Sequence, residues 1–184
     1  LAQQCGADIV LDPAEDSPYS RWEEFGHMGR LPDMLELGVS TMENLTMLPG
    51  PWWHAWRLGE RLGFMPKRPV IFECVGVPGI IQTILRGAPL MSRVVVVGVC
   101  METDSFEPVM AINKEIDMRF VLGYTPLEYR DSLHMISEGK VECAHMVTGT
   151  VGLDGVAGAF DALGNPEAHA KILIDPKKKG KAIA

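Results

Sequence analysis

Two apolar runs that each stop at a glycine constrain this chain more than any other feature. Phe72-Glu73-Cys74-Val75-Gly76 is followed, one helix length later, by Val94-Val95-Val96-Val97-Gly98-Val99. Continuous apolar runs of this kind are the mark of strands in a parallel sheet, and the crevice of such a sheet lies outside the carboxyl ends of its strands. Between the runs, Ile80, Ile81, Ile84 and Leu85 repeat at helical spacing within Pro78 to Leu90, so strand, helix and strand are expected to form one βαβ unit. A glycine at each strand end lets a ligand approach the backbone closely.

The pattern continues downstream. Met101 to Phe106 reads as a loop, the stretch to Asn113 as irregular, and Met118 to Leu122 as a third strand closed by Gly123. Pro126 to Gly139 has its apolar residues at helical spacing, Met146 to Val151 is a strand candidate, Leu153 to Leu163 a helix, and Lys171 to Ile174 a last strand. Upstream, Leu1 to Cys5 reads as a final helical turn capped by Gly6, and Ile9-Val10-Leu11 as a short strand closed by Asp12-Pro13. From Gly26 to Lys67 the pattern breaks into a Met-rich segment with four prolines and the cluster Trp52, Trp53 and Trp56. This is expected to be an insertion with short helices at Asp33 to Leu37 and Pro51 to Leu62. The rings are expected to pack against the sheet edge as a satellite cluster; a lid or partner-binding patch is the alternative.

Composition excludes several classes. A formal charge of −7 over 184 residues, with Lys177-Lys178-Lys179-Gly180-Lys181 as the one basic run, argues against a nucleic-acid binder and reads the end as a solvated tail. No apolar stretch reaches the roughly 18 residues a bilayer span needs, so no membrane partner is expected. Cys5, Cys74, Cys100 and Cys143 lie far apart, which fits reduced thiols, a cytoplasmic setting and no metal clip. No metal ligand and no catalytic residue can be named: Asp104, Glu107, His134, His145 and His169 have no pairing or spacing that links them, and solvated or capping roles suit them better.

Taken in order, Gly6-Ala7-Asp8 into Asp12-Pro13, the Phe72 to Gly76 and Val97 to Val99 strand ends, the Phe120 to Tyr124 strand, and Asp154 to Phe160 leading to Lys171-Ile172-Leu173 resemble the medium-chain dehydrogenase/reductase family, in its zinc-dependent alcohol or polyol dehydrogenase branch. The resemblance covers nearly the whole chain outside Gly26 to Lys67. It implies an α/β fold: part of a Rossmann-type, doubly wound parallel sheet over 1–124, interrupted by the insertion at 26–67; a carboxyl-terminal segment over 125–176 that returns to the catalytic domain; and a basic tail at 177–184. It implies that Cys74, Val75 and Gly76 pass along the adenosine and ribose side of NAD or NADP. Val97, Gly98 and Val99 would flank the nicotinamide, with Leu122 and Gly123 near its carboxamide. Lys171 matches a position near the cofactor only loosely.

The family's zinc ligands, GxGxxG turn and ribose-selecting acid have no counterpart here, so this chain is expected to be the later part of a longer enzyme. Zinc is then expected in the parent protein and not in this chain, which alone should turn over no alcohol. The substrate would be a small alcohol or carbonyl compound. A homodimer or homotetramer is expected, with Met118 to Leu122 as a pairing edge. Replacing Gly98 with a bulky residue is expected to block the ring while leaving the fold mostly intact. A zinc-independent, quinone reductase-like member of the superfamily and a non-enzymatic nucleotide-binding module are the alternatives.

Overall fold

Valine-rich runs pair into parallel strands here because helices of matching apolar period connect them. The computed structural model describes all residues except Pro166, Glu167, Ala182 and Ala184. It comprises two units, Leu11–Gly123 and Leu1–Val10 together with Tyr124–Ala184. In the first, β1 (Val70–Glu73), β2 (Arg93–Val96) and β3 (Asp117–Phe120) form a parallel sheet in that order, with Phe72 beside Val95 and Val95 beside Arg119. Helix α3 (Ile80–Gly87), numbered after two helices of the insertion, connects β1 to β2, and α4 (Pro108–Ile112) connects β2 to β3.

The spacing of Ile81, Ile84 and Leu85 puts all three on the sheet-facing side of α3, where they form a core with Val94 and Val96. Leu85 and Val94 are fully buried. Lys114 finishes α3: its ammonium donates to the carbonyls of Leu85 (3.0 Å) and Arg86 (2.6 Å), and burial pulls its pKa below the ordinary lysine value. Across β1, Ile71 and Glu73 face this core whereas Val70 and Phe72 stay exposed, so the described helices cover one face of a partial Rossmann-type sheet.

The insertion is a helical hairpin. His27 Nδ1 donates to the carbonyl of Lys67 at 3.2 Å, and the amide of Leu90 donates to the carbonyl of Met28 at 2.7 Å, so the ends of the segment are held together at the base of the sheet. Between them run α1 (Leu31–Thr46) and α2 (Trp52–Arg61). The first is three times the expected length: Pro32 falls in the opening turn, where a missing N–H costs no hydrogen bond, and nothing in Met34 to Thr46 breaks the helix. The tryptophans do not pack against the sheet edge. Trp52 makes edge-on contacts with Trp53 and Trp56, at ring-centre separations of 6.1 and 6.0 Å, and the three line a groove with Gly38, Val39 and Met42 of α1.

In the second unit, β4 (Val147–Val151) and β5 (Lys171–Ile174) pair in parallel across α6 (Val156–Leu163), with Val151 and Ala159 buried among its described apolar residues. Helix α5 (Pro126–Ser137) opens on a capping box: the Thr125 hydroxyl accepts from the amide of Glu128 (3.2 Å), whose carboxylate accepts from the amide of Thr125 (2.6 Å).

Three further sequence expectations are corrected. Ile9-Val10-Leu11 forms no strand, since no neighbouring strand pairs with it. The stretch before Asn113 contains α4, started by Pro108. The basic end is not a free tail as far as it is described: Lys178 is half-buried, its ammonium donates to the carbonyl of Thr150 at 2.8 Å, and its own carbonyl lies where a side chain on Gly152 would begin.

Candidate functional site

The carboxyl ends of β1 and β2 are joined by one residue, Glu73. Its carbonyl accepts from the amides of both Val97 and Gly98 at 2.8 Å. Its carboxylate turns back on its own chain, where Oε1 accepts from the amides of Val75 (2.7 Å) and Gly76 (2.8 Å). A glutamate that is 4% exposed is tolerable in an apolar sheet because these amides satisfy its carboxylate.

This arrangement brings the two strand-end loops so close that only glycine fits between them. A Cβ on Gly98 would run into the amide nitrogen of Gly76 and lie 2.7 Å from Glu73 Oε2. A Cβ on Gly76, whose φ is +71°, would lie 2.6 Å from the amide nitrogen of Val99. The expected consequence of a Gly98 substitution is thereby corrected: a side chain there strikes backbone and disturbs the loops, so it does not leave the fold intact.

Beyond the loops a cleft of about 400 Å³ opens at the carboxyl ends of the three strands. Gly76, Val97, Gly98, Val99 and Leu122 line it, which brings together five of the residues singled out in the sequence. Cys74 and Val75 lie elsewhere, in a groove along the free edge of β1 with Tyr19, Trp22 and Phe72. Gly123, at φ +60°, follows Leu122 and does not line the cleft.

Phe106 and Phe120 add aromatic walls that sequence reasoning did not single out. Neither was legible, because one stands in a loop and the other in an edge strand whose neighbours are set by pairing. Glu73 was readable in retrospect as the one charge inside an apolar run before a glycine. Asp104 also lines the cleft: Oδ1 accepts from the amides of Gly79 (2.9 Å) and Ser105 (2.8 Å), tying the loop after β2 to the residue before α3. Its Oδ2 is buried with no hydrogen-bond partner among the described residues.

The polar residues otherwise stay apart. Glu107 pairs with Arg86 at 3.2 Å, and His145 lies 3.3 Å from Glu142. Among the described residues no three side chains of the metal-binding kind come together. Chemically, the cleft offers apolar walls and closely approachable backbone, and its lining also includes the free thiol of Cys100, which donates to the carbonyl of Glu102 at 3.5 Å. Such walls suit a flat, weakly polar ring held by van der Waals contact.

Comparisons with known proteins bear on which ring. No family model matches the chain. A (R,R)-butanediol dehydrogenase from Neisseria gonorrhoeae is 25% identical over 109 residues, 58% of this chain and 30% of that protein. The crystal structure of 2R,3R-butanediol dehydrogenase from Bacillus subtilis superposes with a TM-score of 0.53 at 25% identity, covering 66% of this chain and 34% of that one. A putative zinc-binding dehydrogenase from Sinorhizobium meliloti bound to NADP superposes over 95% of this chain and 41% of its own, with a TM-score of 0.59 at 20% identity, a likeness of fold alone. The chain thus spans about a third of the length of the relatives it matches.

Proposed function

We propose that this chain, a relative of the zinc-dependent alcohol and polyol dehydrogenases of the medium-chain dehydrogenase/reductase family, supplies the nicotinamide end of the cofactor cleft in an NAD(P)-dependent alcohol dehydrogenase. The observation that carries the reading is the cleft at the strand ends, lined by Gly76, Val97, Gly98, Val99 and Leu122. Val97, Val99 and Leu122 would wall the ring, Gly76 and Gly98 would let backbone reach it, and Glu73 keeps both loops in register. Bound there, the dinucleotide would supply a hydride acceptor for a small alcohol, or a donor for the matching carbonyl compound.

Cys74, Val75 and Gly123 would then serve the cofactor only at its periphery, since they lie off this cleft. A catalytic zinc does not fit the described residues, because no suitable cluster exists among them, and no chemical step is assigned to one. Among the described residues no helix is long and apolar enough to cross a membrane; a cytoplasmic setting is part of the proposal. Pairing of two copies through the free edge of β3, whose other edge is hydrogen-bonded to β2, would complete a homodimer.

Titrating the 184-residue chain with NADH while following nicotinamide emission tests the reading. Binding is expected to be weak, because the chain holds one end of the cofactor, and Val99→Trp should abolish it without unfolding. Val99 is 73% exposed and lines the cleft, so a larger side chain there fills the site and not the core. No change in emission with the wild-type chain, or an unchanged response in the variant, would refute the assignment.

A further inference from the structure

The α1–α2 hairpin carries a groove that the dehydrogenase reading leaves unused. It measures about 360 Å³ and runs between Val39 and Met42 of α1 and the three tryptophans of α2. No residue of either helix is buried, and Leu35, Val39 and Trp53 are about half exposed (58%, 52% and 48%). A contiguous apolar surface of this kind on a soluble chain marks a contact site.

The rims of the groove say what covers it. Glu36 and Glu43 lie three residues before and four after Val39, which puts both on the Val39 side of α1 and makes that rim acidic. Arg57 lines the groove from α2 and Arg61 follows it by one turn, so the opposite rim carries two cations; Glu60 of α2 also lines the groove, its carboxylate accepting from the Trp56 indole N–H at 3.0 Å, and leaves that rim with a net positive charge. None of the four charges takes part in an ion pair among the described residues. A surface with one acidic and one basic rim is complementary to itself about a two-fold axis that runs along the groove. Rotation about that axis carries the acidic rim of one copy over the basic rim of the other and closes the tryptophans between them.

We infer that the hairpin is a self-association surface, whose occupant is the same hairpin of a second copy of this chain, packed as a four-helix bundle. This surface is separate from the β3 edge and does not depend on the chain's being a dehydrogenase. Helix α1 of each copy lies beside α2 of the other, with Glu36 and Glu43 facing Arg57 and Arg61.

Sedimentation velocity on the full chain and two charge-reversed variants decides the matter. The wild type should dimerise at micromolar concentration. Glu36→Arg with Glu43→Arg, and separately Arg57→Glu with Arg61→Glu, should each weaken self-association by at least about tenfold, because attraction becomes repulsion at both rims. An equimolar mixture of the two variants should dimerise again, and the chain carrying all four reversals should dimerise by itself; recovery in the mixture also shows that each variant is folded. A monomeric wild type overturns the inference. So does association indifferent to the reversals, which would point to the β3 edge, and so does flotation of a monomer with anionic phosphatidylserine vesicles.

Discussion

Glu73 and Gly98 show how one buried carboxylate and one missing side chain can set a site. The amides of Val75 and Gly76 are satisfied by Glu73, and Gly98 is the position against which that carboxylate rests. Gly98→Ala is therefore expected to cost about 1–3 kcal/mol, the range of overpacking against backbone that can yield only by moving a loop. Urea unfolding of the two proteins measures it. Glu73→Ala should cost about as much, since it strands buried amides, whereas Glu73→Gln keeps an accepting oxygen and should cost less. Equal losses for the two Glu73 variants would mean that the charge, and not the acceptor, holds the turn. The strand-end glycines were legible in the sequence because a glycine after a valine run is a strong local signal. Their reason was not, because the atoms that demand them, Glu73 Oε2 for Gly98 and the amide of Val99 for Gly76, belong to the other strand-end loop and meet only once β1 and β2 pair.

At the level of elements, the parts with a clean period were readable and the parts decided by neighbours were not. The apolar faces of α3 and α6 and the strands β4 and β5 follow directly from spacing and β-branched runs. The length of α1 escaped because Pro32 and Gly38 look like breakers in isolation, though the first sits where helices begin. Ile9-Val10-Leu11 had a strand's composition and no partner to pair with. Helix α5 depends on local chemistry, since it has no buried residue and opens on a capping box. Thr125→Ala should destabilise it by about 1 kcal/mol, seen as faster amide exchange through its first turns. Hydrogen bonds from Thr125, the backbone one above all, hold the Glu128 carboxyl below the usual carboxylate range. A carboxyl with a depressed native pKa stabilises above its unfolded value, and that contribution is lost as the pH falls through the native one. Protection factors in α5, which correct for the intrinsic pH dependence of exchange, should therefore fall on acidification below about pH 4, and Glu128→Gln should remove that dependence. An acid response unchanged by the substitution would show that another group is responsible.

Over the whole molecule, stability is distributed as unevenly as the core. Among the described residues, Ile81, Ile84, Leu85, Ala88, Leu90, Val94 and Val96 are buried in the unit that carries β1 to β3, against Val151 and Ala159 in the unit that carries β4 and β5. Burial of apolar surface is the main term that offsets chain entropy, so the second unit has far less to resist opening. Its support is of another kind: the last described turn of the chain approaches Gly152 and Gly155 at distances that exclude a side chain, and the Lys178 ammonium holds the Thr150 carbonyl. Native-state hydrogen exchange on the full chain should therefore show β4 and β5 opening at lower free energy than β2, as a separate cooperative unit. Lys178→Met should lower protection in β4 and β5 further while leaving the amides of Val94 and Val96 untouched, since the lysine touches only the second unit. Protection in β4 equal to that in β2, or a Lys178 effect that reaches β2, would show that the two units unfold together and that their separate cores do not govern stability.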